Sequence, residues 1–189
     1  MTEDFRNKNL VFIDVETTGL SPIRHEIIEV ACLVADGHSF QLVGSFDAKI
    51  KPEHIETAEP GALKVNGYSK SAWEDALTQN DALMKVANIA PSGVLVGWNI
   101  AFDWSFLDEA FDKRGIIHKF DHHKIDAPSV VYAKLFRKGR FSSLGLRKVA
   151  PFFGIKLDEI HTAKEDVRAT YEIFKKLMEE EIVQKSLGI

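Results

Sequence analysis

Residues 10–20 read Leu-Val-Phe-Ile-Asp-Val-Glu-Thr-Thr-Gly-Leu, and no other stretch limits the fold as tightly. The first four are apolar, with the β-branched and aromatic side chains that suit a strand buried on both faces. Asp14 and Glu16 follow two apart, so a strand points both to one side. Thr17, Thr18 and Gly19 then break the strand. Acids at the end of a buried strand set negative charge against a core, where unpaired charge is costly. A hard divalent cation with oxygen ligands answers that need. The plain alternative is a strand that runs into a solvated turn, with both acids hydrated.

The remaining pattern predicts an α/β protein. Residues 27–35 form a second apolar run, Asp36-Gly37 is a hairpin signal, and residues 40–50 make a third strand ended by Pro52. Three strands joined by short turns suggest an antiparallel meander. Residues 52–70 contain Pro60, Gly61 and Gly67 and read as an irregular connection. A helix is expected over residues 73–90, followed by a short buried strand at Val94-Leu95-Val96. Helical periodicity resumes from Phe102, through Phe106, Leu107, Ala110 and Phe111, to Gly115. Asp126 with Pro128 marks another helix start, running to about Arg137. A short helix fits residues 143–153. Thr162-Ala163-Lys164-Glu165 is a capping box opening the last helix.

Asp103 and Asp166 fall near two of these helix starts. In a mixed sheet flanked by helices such ends meet at one crevice. Four convergent carboxylates, Asp14, Glu16, Asp103 and Asp166, could hold two Mg²⁺ or Mn²⁺ ions that clamp the attacking and leaving oxygens of a phosphoryl transfer. His161, on the loop into the last helix, could take the proton from the attacking water. Alone, it would read as a surface loop histidine.

The stretches Phe12-Ile13-Asp14-Val15-Glu16-Thr17-Thr18-Gly19-Leu20, Asn99-Ile100-Ala101-Phe102-Asp103 and His161-Thr162-Ala163-Lys164-Glu165-Asp166 resemble the three motifs of the DEDDh exonucleases. That is the family of the proofreading subunit of bacterial DNA polymerase III and of ribonuclease T. The resemblance covers residues 9 to about 178, and Ser143-Leu144-Gly145-Leu146 also fits the family. It implies a ribonuclease-H-like mixed β-sheet flanked by α-helices, and metal-dependent 3′→5′ exonuclease chemistry in a single domain, residues 1–189. By motif position, Asp14, Glu16, Asp103 and Asp166 would ligate the metals and His161 would be the general base. Thr17, Thr18, Gly19 and Leu20 would face the terminal nucleotide, Leu20 as an apolar wedge. Asn99 and Phe102 would shape the wall of the site, although Phe102 reads equally as helix core. Trp98 departs from the pattern, since many relatives carry histidine or glutamine there; it would pack on the sheet or stack on a base.

Composition narrows the partners. At a net charge of −4 the chain is no generic polyanion binder. Residues 133–157 nevertheless contain seven basic side chains and no acid: Lys134, Arg137, Lys138, Arg140, Arg147, Lys148 and Lys156. These form either a solvated face or a guide for a phosphate backbone. The expected partner is a single-stranded or frayed DNA or RNA 3′ end, with the choice of sugar left open. A polymerase partner and a homodimer are also left open; the short tail after Met178 favours a free-standing enzyme or a compact subunit. No apolar run is long enough to span a membrane. The N-terminus lacks a signal-peptide core, and Cys32 is a lone cysteine in an apolar run, so a cytoplasmic location is expected. His122 and His123 with Asp121 read as a solvated turn or a second metal group, and on a strand the two rings would diverge. Glu26 or Glu29 could approach the acids, and the sequence assigns neither. Two other classes compete: a non-catalytic binding module on the same fold, and a phosphatase with Asp14 as nucleophile. The second leaves the other two motifs unexplained.

Overall fold

The computed structural model describes residues 4–135, 142–158 and 160–179. Arg137, Lys138 and Arg140, and the expected end of the helix near Arg137, lie outside them. Five strands form one mixed sheet, β1 (Leu10–Thr17), β2 (Ile27–Ala35), β3 (Leu42–Lys49), β4 (Val94–Gly97) and β5 (Lys124–Asp126), in the order β3-β2-β1-β4-β5. The first three are antiparallel, and β1, β4 and β5 run parallel. β1 is therefore central and buried, as its apolar run predicts.

The two-residue period of β1 divides the core. Val11, Ile13 and Val15 pack beneath α2 (Gln79–Ala87) and α3 (Ile100–Arg114), against Leu83, Val86, Phe106, Leu107 and Phe111. Leu10 and Phe12 face the other way, onto Val167, Tyr171 and Phe174 of α6 (Ala163–Met178). The Phe12 ring meets Tyr171 and Phe174 edge-on, with centroids 5.3 and 5.4 Å apart. Asp14 and Glu16 continue the Phe12 face, so α6 covers the apolar half of that face and opens onto its acidic half.

Two expectations need correction. The helix expected over residues 73–90 begins only at Gln79, where Thr78 Oγ1 accepts from Asp81 N; Trp73 lies in a separate 3₁₀ turn and donates from Nε1 to Ile28 O at 2.8 Å. Residues 52–70 are not wholly irregular, because Pro60–Val65 forms a short helix, α1. Asp126 opens α4 (Ala127–Leu135) as expected, accepting from Ser129 N, and Lys124–Asp126 adds a short strand, β5, that the sequence did not signal. The helix over residues 143–153 is α5 (Leu146–Val149) continued by a 3₁₀ turn to Phe153. No helix among the described residues is long and apolar enough to cross a membrane.

Candidate active site

The carboxyl ends of the adjacent parallel strands β1 and β4 supply the first three acids. β1 ends in Asp14 and Glu16. β4 leads through Gly97 into α3, whose first turn carries Asp103. That turn is tight: a Cβ on Gly97 would lie 3.2 Å from Ile13 O, and Asn99 takes the left-handed conformation at φ 69°, which asparagine tolerates. The close approach lets Asp103 Oδ1 accept from Val15 N at 3.0 Å, fixing one acid to the strand that carries two others.

Asp166 arrives on the first turn of α6. Each exposed amide at that helix start has a partner. Thr162 Oγ1 accepts from Glu165 N at 3.3 Å, and Asp166 N donates to Thr162 O at 3.1 Å. The Ala163 and Lys164 amides face the carboxylate of Glu29 on β2 and favour its charged form. The capping box is only half made, since the buried Oε2 of Glu165 has no hydrogen-bond partner. Glu29 is paired directly across from Glu16 in the β1–β2 register. Of the two unassigned glutamates, Glu29 borders the site. Glu26 accepts from Glu53 N and His54 N instead.

Crowding shows in the electrostatics. Burial, then the charges of Asp103, Glu16, Asp166 and Glu29, hold the Asp14 carboxyl well above its usual range. Burial, Asp166 and Glu29 push Glu16 up to about 8, against the pull of Arg147. Burial pushes Asp103 up to about 7, although the Val15 amide favours its charged form. Such carboxyls ionise readily only beside added positive charge. An all-oxygen set of this kind fits a hard divalent cation. Donor atoms of Glu16, His161 and Asp166 also lie within 4.8 Å of one another.

His161 leans into this cluster, with Nδ1 3.7 Å from Asp166 Oδ2 and its backbone N–H on Val65 O at 3.2 Å. Burial and Arg147 lower its pKa, so the ring is neutral near pH 7 and able to accept a proton. Two clefts flank the cluster. One, of about 300 Å³, runs past Trp98, Gly145, Arg147 and Lys148. The other, of about 360 Å³, lies between Thr17, Gly19, Leu20 and Phe102 on one side and Ala62, Val65 and Asn66 of the α1 segment on the other. Leu20 is 76% exposed at its rim. Thr18 is fully buried and braces the loop, its hydroxyl accepting from Glu26 N. Phe102 both packs on the core and lines this cleft. Asn99 is exposed and contributes its backbone turn. Trp98 packs, donating from Nε1 to Leu144 O, and its ring edges the first cleft. The α1 wall was missed in the sequence because Pro60 and Gly61 mask so short a helix; Pro60 in its first turn was the available signal.

The basic stretch divides. Arg147 and Lys148 line the first cleft, whereas Lys134 donates to Leu177 O at the far end of α6. His122 and His123 do not diverge: they share a turn, ring centroids 3.8 Å apart, and His123 N and Nδ1 both meet Asp121 Oδ1 at 2.8 Å.

Acids from three distant stretches thus lie around the carboxyl ends of parallel strands, the usual ligand crevice of such sheets. The family model described as Exonuclease matches residues 11–174, and the chain belongs to that family as a DEDDh-type 3′→5′ exonuclease. It is 32% identical over 181 residues to the PolC-type DNA polymerase III of Caldanaerobacter subterraneus subsp. tengcongensis, covering 94% of this chain and 12% of that protein. It is 27% identical over 170 residues to the Bacillus subtilis PolC-type polymerase, covering 90% and 11%. The chain thus spans about an eighth of the length of these relatives. Its fold is similar to that of E. coli Exonuclease I in complex with a dT13 oligonucleotide, with a TM-score of 0.75 and 19% identity, over 94% of this chain and 43% of that one.

Proposed function

We propose that residues 1–189 form one exonuclease domain that removes nucleotides from the 3′ end of single-stranded or frayed nucleic acid, with two divalent ions, Mg²⁺ or Mn²⁺, and His161 as general base. The gathering of Glu16, His161 and Asp166 within 4.8 Å, with Asp14 and Asp103 close enough to feel their charge, carries this assignment. Asp14, Glu16, Asp103 and Asp166 would hold the ions, which supply a polarised water and neutralise charge on the leaving oxygen. The neutral His161 ring takes one proton from the attacking water, leaving Nδ1 toward Asp166. The 3.7 Å gap is long for a hydrogen bond but close enough to stabilise the imidazolium that results. The cleft of Thr17, Gly19, Leu20 and Phe102 receives the last nucleotide, with the buried Thr18 bracing its loop and the exposed Leu20 wedged against its base. A base must leave its stack to enter, which favours single strands. DNA is placed first among substrates, because the relatives are named as DNA polymerases and a structural neighbour holds dT13. The same likeness supports a polymerase partner.

The test is degradation of 5′-labelled DNA and RNA oligonucleotides with Mg²⁺, Mn²⁺ or EDTA, and with free or blocked 3′ ends. A ladder shortening from the free 3′ end, lost with EDTA or a block, is expected. Asp14→Ala and Asp166→Ala should be folded and inactive, and His161→Ala slower by roughly 10²-fold, the scale of a lost general base. Full activity of purified Asp14→Ala, or oligonucleotide binding without turnover by the native chain, would overturn the assignment.

A further inference from the structure

Four carboxylates meet with one firm counter-ion. Arg147 Nη1 donates to Oδ1 and Oδ2 of Asp166 at 3.2 and 3.0 Å, and Nη2 donates to Asp158 O at 3.3 Å. No other lysine or arginine among the described residues is ion-paired to Asp14, Glu16, Asp103 or Asp166. Leu146 and Val149, buried on either side, anchor α5 against Ile173 and Leu177 of α6, so the short helix aims Arg147 along the cleft floor. Its Nε is buried and has no hydrogen-bond partner. The guanidinium is thus held at one edge by Asp166 and left unsatisfied at another.

A divalent ion at Asp166 would compete with Arg147 for its negative charge. Asp166 lies beside the ligand atoms of Glu16 and His161, and Nη1 alone touches both of its oxygens. A divalent ion shared with Glu16 needs one of them, and two positive charges at that spacing repel. Arginine is also the side chain best matched to phosphate, because its planar fork pairs with two oxygens at once. Around it, the cleft already presents Lys148, the Gly145 backbone and the Trp98 ring.

We propose that Arg147 is the site's stand-in cation when no metal is present, and that a divalent ion displaces it from Asp166 toward the phosphodiester backbone in the Trp98–Lys148 cleft. Metal loading and backbone binding are then linked, since the arginine becomes free for a phosphate only after Asp166 has been taken. The inference rests on the reading of Asp166 as a metal ligand.

Mn²⁺ binding without nucleic acid separates the two ideas. Free Mn²⁺ is counted by electron paramagnetic resonance in native protein, Arg147→Met, Arg147→Lys and Asp166→Asn. Arg147→Met should bind Mn²⁺ about tenfold more tightly, the scale of one charge-assisted pair between partly exposed groups. Arg147→Lys should fall between. Fluorescence anisotropy of a single-stranded DNA oligonucleotide in Ca²⁺ and in EDTA supplies the second arm. Ca²⁺ should tighten DNA binding to the native protein more than to Arg147→Met. Equal or weaker Mn²⁺ binding by a folded Arg147→Met, with Asp166-dependent binding in the native protein, overturns the role of Arg147 alone. Native protein that binds no Mn²⁺, or binds it regardless of Asp166→Asn, overturns the metal-ligand reading itself.

Discussion

Gly19→Ala adds one methyl group to the loop that faces the nucleotide cleft, and the structure sets its cost. The new Cβ would lie 2.5 Å from Cε1, 2.6 Å from Nδ1 and 2.7 Å from Cγ of His25. Gly19 has no positive φ, so the penalty is purely steric. The ring cannot swing away cheaply: its side chain is 2% exposed and Nδ1 accepts from Ser21 N at 2.9 Å. Nor can the loop retreat, because Thr18 N donates to Glu26 O, Glu59 N donates to Thr18 O, and Asn66 Nδ2 donates to Thr17 O. Overpacking costs about 1–3 kcal/mol, and one hydrogen bond about 0.5–1.5 kcal/mol more. A loss of about 2–4 kcal/mol follows, or roughly 5–15 °C in Tm for a chain of this size. Urea denaturation measures it. The decisive variant is the double one, Gly19→Ala with His25→Ala, in which the clash has gone. The two costs should fall short of additive by at least about 1 kcal/mol. A neutral Gly19→Ala, or strictly additive costs, would refute the reasoning.

Without divalent metal, stability should fall as pH rises from about 5 to 8. Glu16 ordinarily titrates near 4.5 and is pushed up to about 8, and Asp103 moves from 3.8 to about 7, so the folded chain binds more protons than the unfolded one across that window. Thermal melts in EDTA and in Mn²⁺ check this, and a slope unchanged by metal would contradict it. Glu29→Ala removes the carboxylate that faces the Ala163 and Lys164 amides, at roughly 1–3 kcal/mol, and should lower activity by shifting Asp166; melts and oligonucleotide turnover, measured together, test both effects. Cys32 should resist thiol reagents until the chain unfolds, because burial raises its pKa strongly; rapid labelling of native protein would contradict that.

What could be seen in the sequence was whatever depends on local period and end signals. The alternation along residues 10–16 gave the strand, its two faces and the side shared by Asp14 and Glu16. Thr162 marked the start of α6 for the same reason. Features set by strand register were not legible. Glu26 and Glu29 look alike in the chain, and only pairing opposite Glu16 brings Glu29 to the site. Trp73 and Leu77 imitate a helical stripe, but Trp73 is held by its indole on Ile28 and Leu77 bridges to Ile50 beside the sheet. Arg147 sat unremarked among basic neighbours, because its aim depends on how α5 packs on α6.

The alternating faces of β1 also make the enzyme a reporter of its own assembly. A slip of one residue between β1 and its neighbours would turn Asp14 and Glu16 toward Leu83 and Phe106 and send Val15 into the cleft. Asp14 and Glu16 would leave the cleft together in such a slip, so the alternation that builds the site also dismantles it when that pairing fails.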